Sequence, residues 1–113
     1  MNEMPESIND ELEKRKKLVE ELWNKGIEDE EVKEMLQKWT IEQEEKVERA
    51  GATLGARVNF ELERAKVYRD AGYLDDALDT LYDTLDMVEQ ENNRELEEKI
   101  RGEIETINNI DEN

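Results

Sequence analysis

The 113-residue sequence has no cysteine and no histidine. Thiolate zinc sites, disulfides, nucleophiles paired with imidazole and imidazole general bases are therefore excluded, and any metal would need hard oxygen ligands. Proline occurs once, at Pro5, glycine five times, and aromatic residues make up 5% of the chain. No segment alternates apolar and polar residues at period two over a useful length, so strands are not expected. No run approaches the ~20 apolar residues of a membrane span. Met1 to Glu6 also lacks the basic and apolar regions of a signal peptide, so the chain reads as cytoplasmic. The hydrophobic fraction, 35%, lies below the roughly 45–50% usual in globular domains. Folding must therefore rest on how the 25 Leu, Ile, Val and Phe residues are ordered.

What the chain has is negative charge. Thirty-three acidic residues stand against 16 basic ones, a formal net charge of −17. Such a surface repels nucleic-acid phosphate and anionic lipid beyond contact, over a Debye length of ~8 Å. Direct nucleic-acid and membrane binding are accordingly not expected, whereas a basic partner would be steered in. Lys14-Arg15-Lys16-Lys17, the one basic run, balances Glu11, Glu13, Glu20 and Glu21.

The apolar residues recur at helical spacing along the chain. A first helix is expected from a cap at Ser7 or Asn9 to Lys25, carrying Ile8, Leu12, Val19, Leu22 and Trp23 and stopped by Gly26. A short second one runs from about Asp29 to Lys38 with Val32, Met35, Leu36 and Trp39 on one side. Thr40 followed by Gln43 has the form of a capping box. From it the stripe Val47, Ala50, Leu54, Val58, Leu62, Ala65 and Tyr68 continues in phase to Ala71, which predicts one long central helix weakened at Gly51 and Gly55. Phe60, Val67 and Ala71 form a second apolar line on that helix, the mark of an element in the middle of a bundle. A fourth helix is expected from about Asp75 to Glu91, and a fifth from Arg94 to about Asn109 with Asn92 and Glu95 as its capping box. The expected architecture is thus all-α: one domain over 1–113, a compact bundle of about five amphipathic helices with a long central one, and ends frayed at 1–7 and 109–113. Its few large apolar residues make an independent core small, so a homodimer is also an expectation.

The stretch Val58 to Glu89, with Ala65, Tyr68, Gly72, Ala77, Leu78, Leu81 and Leu85, resembles one tetratricopeptide helical hairpin, in which small residues sit where paired helices touch. It departs from that pattern at Glu61, Arg64 and Glu89, where the family favours an aromatic, a leucine and a proline. The resemblance implies a scaffold that binds a partner segment in a groove lined by the hairpin's first helix, which would present Asn59, Leu62, Lys66 and Arg69. Leu18 to Leu36 also looks like the opening of a helix-turn-helix. The following Glu42, Glu44, Glu45 and Glu48 exclude phosphate contact by the next helix.

The most chemically loaded segment is Asp75 to Asp86, where Asp75, Asp76, Asp79, Asp83 and Asp86 all fall opposite the leucine stripe of one helix. Short carboxylates about 6 Å apart at successive turns can imitate a line of backbone phosphates, although a charged helix face is more often only solubilising. Asp75-Asp76-x-x-Asp79 also resembles the magnesium-binding motif of prenyl synthases, enzymes with far longer chains. Glu61 lies close to the main apolar stripe, with Arg57 and Arg64 at offsets suited to an ion pair. Trp23 and Trp39 fall at apolar positions near helix ends and become partner anchors if left exposed. The leading expectation is a non-enzymatic protein-interaction module without a cofactor, its acidic surface favouring a basic partner. The alternative is a nucleic-acid-mimicking inhibitor, of phage or regulatory type, of a DNA- or RNA-binding protein. A magnesium-dependent enzyme ranks third.

Overall fold

The computed structural model describes residues 8–112, with side chains from Asp10 to Ile110. It comprises α1 (Ile8–Lys25), α2 (Glu30–Arg49), α3 (Leu54–Asp70), α4 (Leu74–Gln90) and α5 (Arg94–Glu112), with no strand among the described residues. The all-α class and the five helices agree with the sequence reading. Residues 1–7, the possible cap Ser7 among them, lie outside the described residues. At the other end α5 continues to Glu112, beyond the expected helix end at about Asn109.

The long central helix is corrected. α2 passes unbroken through Trp39 and Thr40, and the break falls between Arg49 and Leu54. Thr40 is no cap: its hydroxyl donates to the Leu36 carbonyl at 2.8 Å, the back-bond of a threonine inside a helix. Trp39, buried at 7% exposure, holds this part of α2 against the core. The break itself is a glycine-capped helix end. Gly51 takes φ +84° and Ala52 φ +51°, Gly51 N–H donates to the Glu48 carbonyl (3.0 Å), and Ala52 N–H donates to that of Val47 (2.8 Å). This pair of bonds satisfies carbonyls that a helix end otherwise leaves open. Thr53 then caps α3, its hydroxyl accepting from Ala56 N–H at 3.1 Å. The same device closes α3, with Gly72 at φ +89° donating to Arg69 (3.0 Å) and Tyr73 N–H to Tyr68 (2.8 Å). A smaller correction concerns α5, capped by Asn93, whose side chain accepts from Leu96 N–H at 3.1 Å; Asn92 instead takes φ +56° in the turn.

The helices alternate between two layers. α1, α3 and α5 lie side by side, since α3 packs against both of the others; α2 and α4 each pack on α3 from the second layer but make no close backbone approach to one another. The radius of gyration, 15.0 Å, exceeds the ~13 Å of a rounder domain of this length, in keeping with a slab measuring 43 × 35 × 24 Å.

The core is divided by α3, which is apolar on both sides as its sequence predicts. Val58, Leu62 and Ala65 join Ala77, Leu81, Leu85 and Val88 of α4 and Ile100, Ile104 and Ile107 of α5. Val67, Ala71 and Phe60 face the other way, onto Leu18 and Leu22 of α1 and Val32 and Trp39 of α2. The Trp39 and Phe60 rings lie 6.4 Å apart between centroids, within the range of favourable aromatic pairs. Tyr73 fastens the two halves. Its hydroxyl accepts from Ile27 N–H (3.0 Å) and donates to the Leu22 carbonyl (3.4 Å), tying the α3–α4 turn to the α1–α2 turn.

Candidate functional site

α2 and α4 both rest on α3 without close backbone approach to one another, and a groove opens over α3, walled by α4 along its length and by α2 only at the end near Phe60. One part of it, a cavity of about 380 Å³, is lined from α3 by Glu61, Arg64 and Tyr68 and from α4 by Asp76, Asp79 and Asp83. A second part, about 470 Å³, is bounded by Ile41, Glu44, Val47 and Glu48 of α2, Phe60 of α3 and Met87 of α4. Glu61 and Met87 line both parts, so the two are continuous. With Glu45 included, seven carboxylates face two guanidinium groups, Arg57 and Arg64.

Local chemistry explains how the walls stand. In α4 the apolar residues Ala77, Leu81, Leu85 and Val88 turn inward, which places Asp76, Asp79 and Asp83 on the flank toward α3. Thr80 and Thr84, between that flank and the core, are buried with their hydroxyls satisfied by the Asp76 carbonyl (2.9 Å) and the Thr80 carbonyl (2.7 Å). Asp75 and Asp86 do not line the groove. The five aspartates are all exposed, but they divide into a groove-facing three and an outward two rather than forming one row toward one ligand. Among the described residues, no lysine or arginine forms an ion pair with any of the five.

Glu61 sits where the three helices converge. Arg64 pairs with it at 3.4 Å, as its spacing predicts; Arg57 does not. Burial pushes the Glu61 carboxyl above the usual glutamate range, Arg64 pulls it back down, and the negative charges of Asp83 from α4 and Glu44 from α2 raise it further. A raised glutamate is what a general acid needs, but this one opens to solvent beside a cation. Among the described residues no group of three or more carboxylates is placed to hold a metal ion, Asp75, Asp76 and Asp79 included.

The groove implied by the hairpin resemblance lies elsewhere. Leu62 is in the core, at 5% exposure. Asn59, Lys66 and Arg69 belong to the layer of α1, α3 and α5, where charges are largely spent on one another. Arg15 pairs with Glu63 (3.5 Å) and Asp70 (3.1 Å), Lys66 with Glu63 (3.6 Å), and Arg69 with Asp70 (3.0 Å) and Glu103 (3.4 Å). The tryptophans part ways as well: Trp39 is a core residue, whereas Trp23 is 69% exposed with its ring lying over Gly72. Comparison with protein-family models, with curated proteins and with solved structures finds no match to this chain.

Sequence reasoning misses Glu44, Glu45, Glu48, Ile41 and Met87 as parts of this groove. A second helix ending at Lys38 leaves Ile41 to Glu48 in the element that follows, whereas they belong to α2. A signal is present: Ala50-Gly51 repeats Ala71-Gly72, the dipeptide that marks the end of α3.

Proposed function

We propose that this chain is a non-enzymatic protein-interaction module of tetratricopeptide-like build, acting in the cytoplasm, whose α2–α4 groove receives a basic segment of another protein. The observation that carries this reading is the groove's uncompensated charge: seven carboxylates against two arginines, with no ion pair to Asp76, Asp79 or Asp83 among the described residues. By contrast, the α1–α3–α5 face has its arginines and acids paired and offers a partner little net field. Alternation of helices between two layers supports the scaffold reading, because a groove between second-layer helices is then a product of the connectivity. A net charge of −17 adds long-range steering of basic partners, worth more in association rate than in final affinity.

The test is capture from a nuclease-treated lysate by wild type, by the groove variant Asp76→Asn/Asp79→Asn/Asp83→Asn and by the outward variant Asp75→Asn/Asp86→Asn, with folding matched by circular dichroism. Partners retained by wild type and the outward variant but lost by the groove variant support the proposal. Partners retained equally by all three overturn it. Loss by the outward variant as well, with capture of nucleic-acid-binding proteins that free DNA or RNA displaces, replaces it by mimicry.

A further inference from the structure

The two parts of the groove differ in chemistry. Toward the N-terminal half of α3, Phe60 and Val47 are half-buried and Ile41 leaves 48% of its surface to solvent beside Met87, with Glu44, Glu45 and Glu48 as an exposed acidic rim. Toward the C-terminal half of α3, the walls are Asp76, Asp79 and Asp83 with the threonines behind them. From Arg57 to Tyr68 the floor spans eleven residue steps, ~16 Å along the helix axis. An exposed isoleucine over a half-buried phenylalanine is apolar surface that a purely ionic ligand would leave wet.

Resting on the reading of the groove as a basic-segment site, we propose that its ligand is bipartite: a protein segment with an apolar anchor at one end and a lysine- or arginine-rich run at the other. The anchor lies on Ile41, Val47, Phe60 and Met87, and the basic run extends past Glu61 to Asp83, Asp79 and Asp76. Charge complementarity fixes the chemistry of the occupant, and the graded lining fixes its direction. Its anchor lies toward the start of α3 and its cations toward the start of α4. The apolar contacts add affinity that salt does not screen, while the carboxylates along both parts supply the salt-sensitive part.

The experiment is fluorescence anisotropy with two labelled, end-blocked peptides, Leu-Leu-pentalysine and Ser-Ser-pentalysine, on the full chain. The leucine peptide is expected to bind about tenfold tighter to wild type. Ile41→Ser, at a half-exposed position, removes most of that advantage, whereas Asp76→Asn/Asp79→Asn/Asp83→Asn weakens both peptides. Thermal melting of each variant confirms a folded protein. Equal affinity of the two peptides for wild type, or an advantage that survives Ile41→Ser, overturns the bipartite ligand while the basic-segment reading stands. If the aspartate changes leave the serine peptide's affinity unaltered, or neither peptide binds, the underlying reading falls too.

Discussion

Glu61 shows how a residue takes its properties from three elements at once. Its sequence neighbours suggest only an ion pair, which Arg64 supplies. Asp83 and Glu44 reach it from α4 and α2, and burial adds to their effect, so the folded protein resists its ionisation. The stability linked to a raised carboxyl is fully present below the unfolded glutamate value and is lost as pH rises through the folded one. At neutral pH the wild type therefore carries the cost of an ionised Glu61. Glu61→Gln is expected to raise the melting temperature near pH 7, with the gain shrinking as pH falls into the range where Glu61 itself takes up a proton. Melting by circular dichroism at several pH values checks this. A loss at pH 7 would mean that the Arg64 pair outweighs burial and repulsion, and a gain that stays constant with pH would mean that it does not arise from the ionisation of Glu61.

At the scale of the element, periodicity serves well and punctuation less so. α1, α4 and α5 start and stop within a few residues of expectation, because each carries one apolar stripe and an unambiguous glycine or asparagine at one of its ends. The segment from Thr40 to Ala71 misleads because its stripe stays in phase across the break, and phase alone does not separate one helix from two that share a core. Glycine geometry settles that point and gives a contrast to measure. Gly51→Ala forces a β-carbon into φ +84° and is expected to cost ~1 kcal/mol. Gly102, inside α5 with nothing within 4 Å of an added β-carbon, should gain up to ~1 kcal/mol as alanine. Urea denaturation of both variants checks the pair. Equal effects of the same sign would contradict a helix end at Gly51.

For the whole molecule, the balance is between a divided core and a large like charge. Thirteen ion pairs occur among the described residues, most of them with at least one side chain exposed and each worth little, whereas the net charge of −17 acts against the compact state as a whole. Screening should therefore stabilise the fold. The melting temperature is expected to rise between ~20 mM and ~500 mM sodium chloride, and a fall would show that the ion pairs outweigh the net repulsion. The same salt should weaken capture of a basic partner, so stability and binding are predicted to move in opposite directions. No helix among the described residues is long and apolar enough to cross a membrane.

Composition and spacing by themselves determined the helical class, the acidic field, the absence of thiol and imidazole chemistry, and the two-sided burial of the segment that became α3. These properties are local or additive: a stripe at 3.6-residue spacing, or a count of charges, can be read without knowing what packs where. The groove was decided only by tertiary structure. It exists because α2 and α4 share α3 without close backbone approach to one another, a relation between residues as far apart as Ile41 and Met87 that no local pattern encodes. For the same reason the sequence set out five equivalent aspartates, and packing turned three of them toward Glu61 and left two outside.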